Sequence, residues 1–131
     1  MSYDLLQAHG RRLRWGMVGG GKDSLIGEVH RLSARLDNRY DLVAGAFSID
    51  PDIARQTGAE ALLAPDRQYI YWKDMVAKEA ARPDGIEVVT VATPPHLHAE
   101  ISEAFLMAGI DVICEKPMTR DLSEARHLKK V

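Results

Sequence analysis

A parallel α/β fold with helices on both faces of one sheet is predicted by three observations. Short apolar runs alternate with segments of helical periodicity from residue 13 onward. The run Leu42-Val43-Ala44-Gly45-Ala46-Phe47 is apolar almost throughout, as a strand covered on both faces should be. The motifs able to do chemistry fall at the carboxyl ends of these runs, where ligands bind in open α/β sheets.

Leu13 to Val18 reads as the first strand, broken by Gly19-Gly20-Gly21. Leu25, Ile26, Val29, Leu32 and Leu36 then recur at helical spacing, with Asp23 or Ser24 as N-cap and Asp37-Asn38 as the stop. Leu42 to Phe47 is the second strand. Asp50-Pro51 opens a short helix, with proline in the first turn, where its missing N–H costs nothing. Residues 58–68 are irregular, with room for a short third strand. A helix from Tyr71 to Ala81 stops at Arg82-Pro83-Asp84-Gly85. Ile86 to Ala92 is rich in β-branched residues and reads as a strand. A helix from about His96 to Met107 ends at Gly109, a natural residue just past a helix end. Asp111 to Cys114 forms the last strand, and a helix begins near Leu122.

Right-handed crossovers between parallel strands give a three-layer, doubly wound sheet of the Rossmann type. Residues 1–12 are expected to be an N-terminal extension, its Arg11-Arg12-Leu13-Arg14 cluster a solvated approach to the first strand. Residues 13–131 are the domain. A six-stranded dinucleotide-binding domain needs at least one more strand than this sequence supplies. The sheet is therefore expected to lack its last strand, with no second domain following.

At 131 residues the chain suffices for one domain and one core. Its 46% hydrophobic and 27% charged content are those of a soluble globular protein. A net charge of −2 makes no electrostatic case for nucleic acid or an anionic membrane. No apolar stretch approaches the roughly 20 residues of a membrane helix. The single cysteine, Cys114, excludes an intrachain disulfide and fits a reducing, cytoplasmic setting. Within an apolar strand it reads as a buried structural thiol.

Four strand ends carry candidate site residues. Gly19-Gly20-Gly21 lies between a strand and a helix, the setting in which glycines let backbone N–H groups approach a pyrophosphate. The next glycine is Gly27, so the loop is longer than G-x-G-x-x-G. Ser48 sits nearest the expected adenosine ribose, with Asp50 two residues on; a serine there neither demands NAD nor repels a 2′-phosphate. Thr93-Pro94-Pro95-His96-Leu97-His98 makes a rigid, donor-poor turn that can pack against a planar ring or ribose, with the Thr93 hydroxyl on offer. Glu115-Lys116-Pro117 holds a cation on a stiff backbone facing the ligand crevice. His96 and His98 point about 200° apart on a helix start and have no C-x-x-C or H-E-x-x-H beside them, so no metal is expected.

Together these motifs resemble the N-terminal domain of the Gfo/Idh/MocA oxidoreductases, over about residues 13 to 131. The pairing of a T-P-x-x-x-H turn with E-K-P about 20 residues later carries the resemblance. It implies an NAD(P)-dependent oxidoreductase acting on a sugar, cyclitol or related polyol, with NAD or NADP as cofactor. By the same resemblance Gly19, Gly20 and Gly21 form the pyrophosphate site, while Thr93, Pro94 and His98 contact the cofactor, with Pro95 in place of a frequent asparagine. Glu115 neighbours the nicotinamide ribose and Lys116 is the catalytic lysine. A lysine beside the nicotinamide C4 can stabilise an alkoxide developing on the substrate carbon. In this family the remaining catalytic groups, most of the substrate pocket and much of the oligomer interface come from a C-terminal domain.

Two other readings stay open: a non-catalytic truncated module that holds a dinucleotide or pairs with another chain, and an S-adenosylmethionine methyltransferase. The proline turns have no task in the methyltransferase. The 131 residues alone are expected to be inactive, and to be marginally stable or to form a homo-oligomer through apolar surface beside the last strand.

Overall fold

In the computed structural model, which describes residues 10–131, four parallel strands alternate with helices. Residues 1–9 of the expected extension lie outside the described residues. Strands β1 (Leu13–Gly19), β2 (Tyr40–Ala46), β3 (Val88–Ala92) and β4 (Asp111–Cys114) are ordered β2-β1-β3-β4. Helices α1 (Leu25–Leu36), α2 (Pro51–Glu60), α3 (Trp72–Ala81), α4 (His98–Met107) and α5 (Leu122–Leu128) connect or follow them.

Alternation along β1 divides the core. Trp15 and Met17 join Phe47, Leu63 and Val88 on one face, closed by Ala34 of α1 and Ala61 beyond α2. Val18 joins Ala44, Val89 and Val91 on the other, packed by Met75 of α3 and by Ile101 and Phe105 of α4. This is the predicted three-layer, doubly wound arrangement. Gly16 keeps the second face close, because a Cβ there would lie 2.6 Å from Met75 Cε. Under that face Glu79 is buried and accepts from Arg67 Nε (3.1 Å), Tyr69 Oη (2.8 Å) and the Ile86 amide (3.1 Å).

Local chemistry sets the boundaries. Ser24 caps α1 by accepting from the Gly27 amide at 3.2 Å. Helix α4 closes with Gly109 at φ 76°, the Ile110 amide reaching back to Phe105 O at 3.0 Å and that of Gly109 to Leu106 O at 2.9 Å. Several expectations are revised. The third strand contracts to one parallel bridge, Gly45 to Gln68, in which the Tyr69 amide donates to Gly45 O at 2.8 Å. Strand β3 starts at Val88, two residues late, and a 3₁₀ turn over Pro95–Leu97 precedes α4. Cys114 is half-buried rather than buried, and burial pushes its thiol up from the usual range. Arg11 and Arg12 are not merely solvated: Arg11 forks onto Glu87 at 2.7 and 2.9 Å, and Arg12 bonds Asp41 at 3.1 Å. The Arg11 fork, with the Arg14 amide, holds the Glu87 carboxyl at about 2.

Among the described residues β4 pairs only with β3, which leaves its outer edge open. An apolar groove of about 510 Å³ runs beside it, floored by Cys114, Met118 and Leu122.

Candidate functional site

All four strands are parallel, so their carboxyl ends share one edge of the sheet. The chain winds from β1 to β2 on one side and returns to β3 on the other, which opens a crevice between the ends of β1 and β3. Gly19 stands in register with Ala92, so the glycine turn and the Thr93 turn begin side by side.

The first turn needs its glycines. Gly19 and Gly20 have φ of 78° and 68°, in the left-handed region that favours glycine. A Cβ on Gly19 would meet Ala92 O at 2.5 Å and Thr93 N at 2.9 Å. Gly27, despite its distance along the chain, is the close-packing glycine: a Cβ there would lie 2.2 Å from Gly20 O. The loop is tied from beneath. Arg31 Nη1 donates to Gly20 O at 2.5 Å and rests near Met17 Sδ, and the Lys22 amide donates to Thr57 Oγ1 at 2.8 Å. Burial lowers the Arg31 pKa, with Glu28 and Glu60 acting in the opposite direction.

At the end of β2, Ser48 Oγ accepts from the Asp50 amide at 3.1 Å, and Asp50 Oδ1 accepts from the amides of Asp52 (2.9 Å) and Ile53 (3.3 Å). Both residues thus shape the start of α2, and the Ser48 hydroxyl keeps its proton free to donate.

After β3, Thr93 Oγ1 is a buried hydroxyl with no hydrogen-bond partner among the described residues. Pro94 O accepts from the Leu97 amide at 3.0 Å, which fixes the turn. His98 is 1% exposed. Its Nδ1 lies 2.7 Å from Pro117 O and its Nε2 2.8 Å from Thr93 O, so the ring joins the turn after β3 to the turn after β4.

After β4, the Glu115 amide continues the ladder to Val91 O at 3.0 Å. Glu115 Oε1 meets His30 Nε2 at 2.8 Å, and Oε2 accepts from the Lys116 amide at 3.1 Å. The His30 hydrogen bond is the main reason the Glu115 carboxyl sits below the usual range; the Lys116 amide adds to it. The Lys116–Pro117 peptide is cis. Lys116 is exposed, and among the described residues no hydrogen bond or ion pair engages its ammonium.

The structure thus brings Gly19, Gly20, Gly21, Thr93, Pro94, Glu115 and Lys116 to one end of the sheet, with Ser48 and Asp50 one strand away. Gly27 entered the sequence reading only as the next glycine along the chain, and His30 and Arg31 escaped it. They sit at i, i+3 and i+4, one face of α1, opposite the leucines that defined the helix; a glycine flanked by polar residues at that spacing was the available signal.

The family model for an oxidoreductase family with an NAD-binding Rossmann fold matches residues 13–131. An uncharacterized oxidoreductase of Bacillus subtilis is 46% identical over 118 residues, 89% of this chain and 30% of its own length. An inositol 2-dehydrogenase of Rhizobium meliloti is 34% identical over 122 residues, 91% of this chain and 32% of its own. The crystal structure of an inositol dehydrogenase homolog from Azotobacter vinelandii complexed with NAD+ superposes with a TM-score of 0.88 at 46% identity, over 92% of this chain and 31% of that one. The same homolog has also been crystallised with NADH and myo-inositol. The chain therefore spans about three-tenths of the length of the relatives it matches.

Proposed function

Because the chain belongs to the oxidoreductase family with an NAD-binding Rossmann fold, we propose that residues 13–131 hold a nicotinamide dinucleotide across the crevice between β1 and β3. The protein this domain serves oxidises or reduces a polyol or sugar. The observation that carries the reading is the meeting, at that crevice, of a pre-tied glycine turn with two proline turns, one holding a buried hydroxyl and the other a lysine that have no partner among the described residues.

The residues present fit such a group. Gly19, Gly20 and Gly21 pack the turn against Ala92, Gly27 and Phe47, where no side chain fits, and leave its backbone amides for a pyrophosphate at the entrance to α1. Arg31 keeps the Gly20 carbonyl turned toward the helix, away from the anion. Ser48 and Asp50 face the adenosine ribose; since Ser48 is neutral, NAD and NADP are both admitted. The Thr93 hydroxyl and the Pro94 ring line the nicotinamide end, with His98 acting through the carbonyls it holds. Glu115 neighbours the second ribose. A bound nicotinamide supplies the hydride chemistry, and Lys116 supplies positive charge where an alkoxide develops on the substrate carbon. The polyol assignment rests on the names of the relatives. The cytoplasmic assignment rests on the free thiol and on the dependence on a soluble dinucleotide.

Titration of the chain with NADH, NADPH and S-adenosylmethionine tests this. Both dinucleotides should bind, within tenfold of each other, and S-adenosylmethionine should not. Gly21→Val should weaken NADH at least tenfold, about 1.4 kcal/mol. A folded chain that binds neither dinucleotide overturns the proposal.

A further inference from the structure

Helix α1 turns its apolar face away from the core. Gly27, His30, Arg31 and Ala34 face the sheet and its turns, whereas Leu25, Val29, Leu32 and Leu36 are 79%, 45%, 64% and 79% exposed. An apolar stripe of four exposed side chains along one helix face marks an interaction site. Its 4-3-4 spacing is that of a two-helix seam.

The flanks say what covers it. Glu28 and Arg35, seven residues apart, lie on the same side of the stripe, and neither is in an ion pair among the described residues. Ile26 and Ser33 flank the other side. In a parallel pairing each charged position would meet the opposite flank, where Ser33 offers no counter-charge. In an antiparallel pairing about a twofold axis the charged flanks face each other, so Glu28 of each helix meets the other's Arg35. The surface is complementary to itself.

We propose that α1 is a homotypic docking helix: two copies of this chain pack α1 against α1, antiparallel, with Leu25, Val29, Leu32 and Leu36 interdigitating and two symmetry-related Glu28–Arg35 pairs closing the seam. Gly27, His30 and Arg31 occupy the opposite face of the helix, so pairing leaves the dinucleotide crevice open. Twelve residues span only about 18 Å. The interface is therefore small, and the dimer should form at micromolar rather than nanomolar concentration.

Sedimentation velocity over a concentration series of the full chain at low salt tests the proposal. The expected result is a monomer–dimer equilibrium. Leu32→Glu should weaken it at least tenfold, as should Glu28→Arg or Arg35→Glu alone at the ion-pair level, while the Glu28→Arg/Arg35→Glu double variant should restore most of the loss. NADH affinity of Leu32→Glu should be unchanged, which separates this proposal from the functional one. A chain that stays monomeric up to roughly 100 µM, a dimer indifferent to Leu32→Glu, or a charge swap that fails to restore association would each overturn it. Circular dichroism of each variant shows whether it is folded.

Discussion

His30 Nε2 lies 2.8 Å from Glu115 Oε1, joining the helix that follows the glycine turn to the segment that carries Lys116. Glu115 also accepts from the Lys116 amide through its other oxygen, so one carboxylate orients the lysine's backbone and is itself oriented by α1. The two ends of the crevice are thereby coupled, although 85 residues separate the partners in sequence.

His30→Gln should release part of that hold. The Glu115 carboxyl is depressed in the folded state, so its stabilising contribution is present above the ordinary carboxylate range and is lost as pH falls through the folded value. The variant should move the Glu115 titration upward, toward the ordinary range, with little change near neutral pH. Carboxyl-resolved NMR titration of the two proteins checks this. An unmoved Glu115 would mean that the contact is not what depresses it.

Gly27→Ala places a methyl where only 2.2 Å separates it from Gly20 O. Neither the carbonyl, held by Arg31, nor the helix can shift without breaking the glycine turn. The variant should lose roughly 2–3 kcal/mol of stability and most of its NADH affinity. Urea unfolding and a NADH titration read the two effects. Gly109→Ala is the contrast: a Cβ there meets nothing within 4 Å, so the cost is confined to the left-handed φ and binding stays intact.

What the sequence made legible was whatever depends on local pattern. Strand and helix order, an N-cap at Asp23 or Ser24 and the Gly109 stop follow from rules acting within a few residues. The inward face of α1 was illegible for a physical reason: the rule that a helix buries its apolar side fails on α1, whose apolar side is exposed. Leu25, Val29, Leu32 and Leu36 drew attention from Gly27, His30 and Arg31. The candidate site divides the same way. Glycine and proline turns announce themselves, whereas the burial of His98 between two carbonyls is a long-range event that its place in the Thr93 turn does not reveal.

Ser48→Asp addresses cofactor choice. Wild-type NADH and NADPH affinities are expected to differ by less than tenfold. A carboxylate at Ser48 should repel the 2′-phosphate and shift the ratio at least tenfold toward NADH, since two nearby charges interact by about 1 kcal/mol or more at a surface. Fluorescence titration of both cofactors decides. A wild-type preference above a hundredfold would assign the choice to another residue.

Glu79→Ala tests the opposite end of the sheet from the site. Its carboxylate is buried and satisfies Arg67, Tyr69 and the Ile86 amide, and burial raises the Tyr69 hydroxyl's pKa above its usual range. Its removal strands a buried guanidinium and should cost about 3–5 kcal/mol. Glu79→Ala/Arg67→Met should recover part of that loss in urea unfolding. Equal destabilisation by the single and double variants would show that the ion pair is not the source.

Lys116 should separate chemistry from folding. Its ammonium is exposed and engaged by no hydrogen bond or ion pair among the described residues, so Lys116→Ala should change stability by less than about 0.5 kcal/mol. NADH affinity should also move little, because the positive charge is needed where the substrate carbon reacts. Hydride transfer requires that carbon and the nicotinamide at near-attack distance with water excluded. Lys116 is exposed, so the described residues do not by themselves exclude water from it, and the 131 residues should show no NAD(P)-linked turnover on sugars or cyclitols. In a protein long enough to close that side, Lys116→Ala should lower kcat by orders of magnitude at nearly constant cofactor affinity. A variant that unfolds would assign Lys116 to the structure of the turn, and one that turns over normally would remove it from the chemistry.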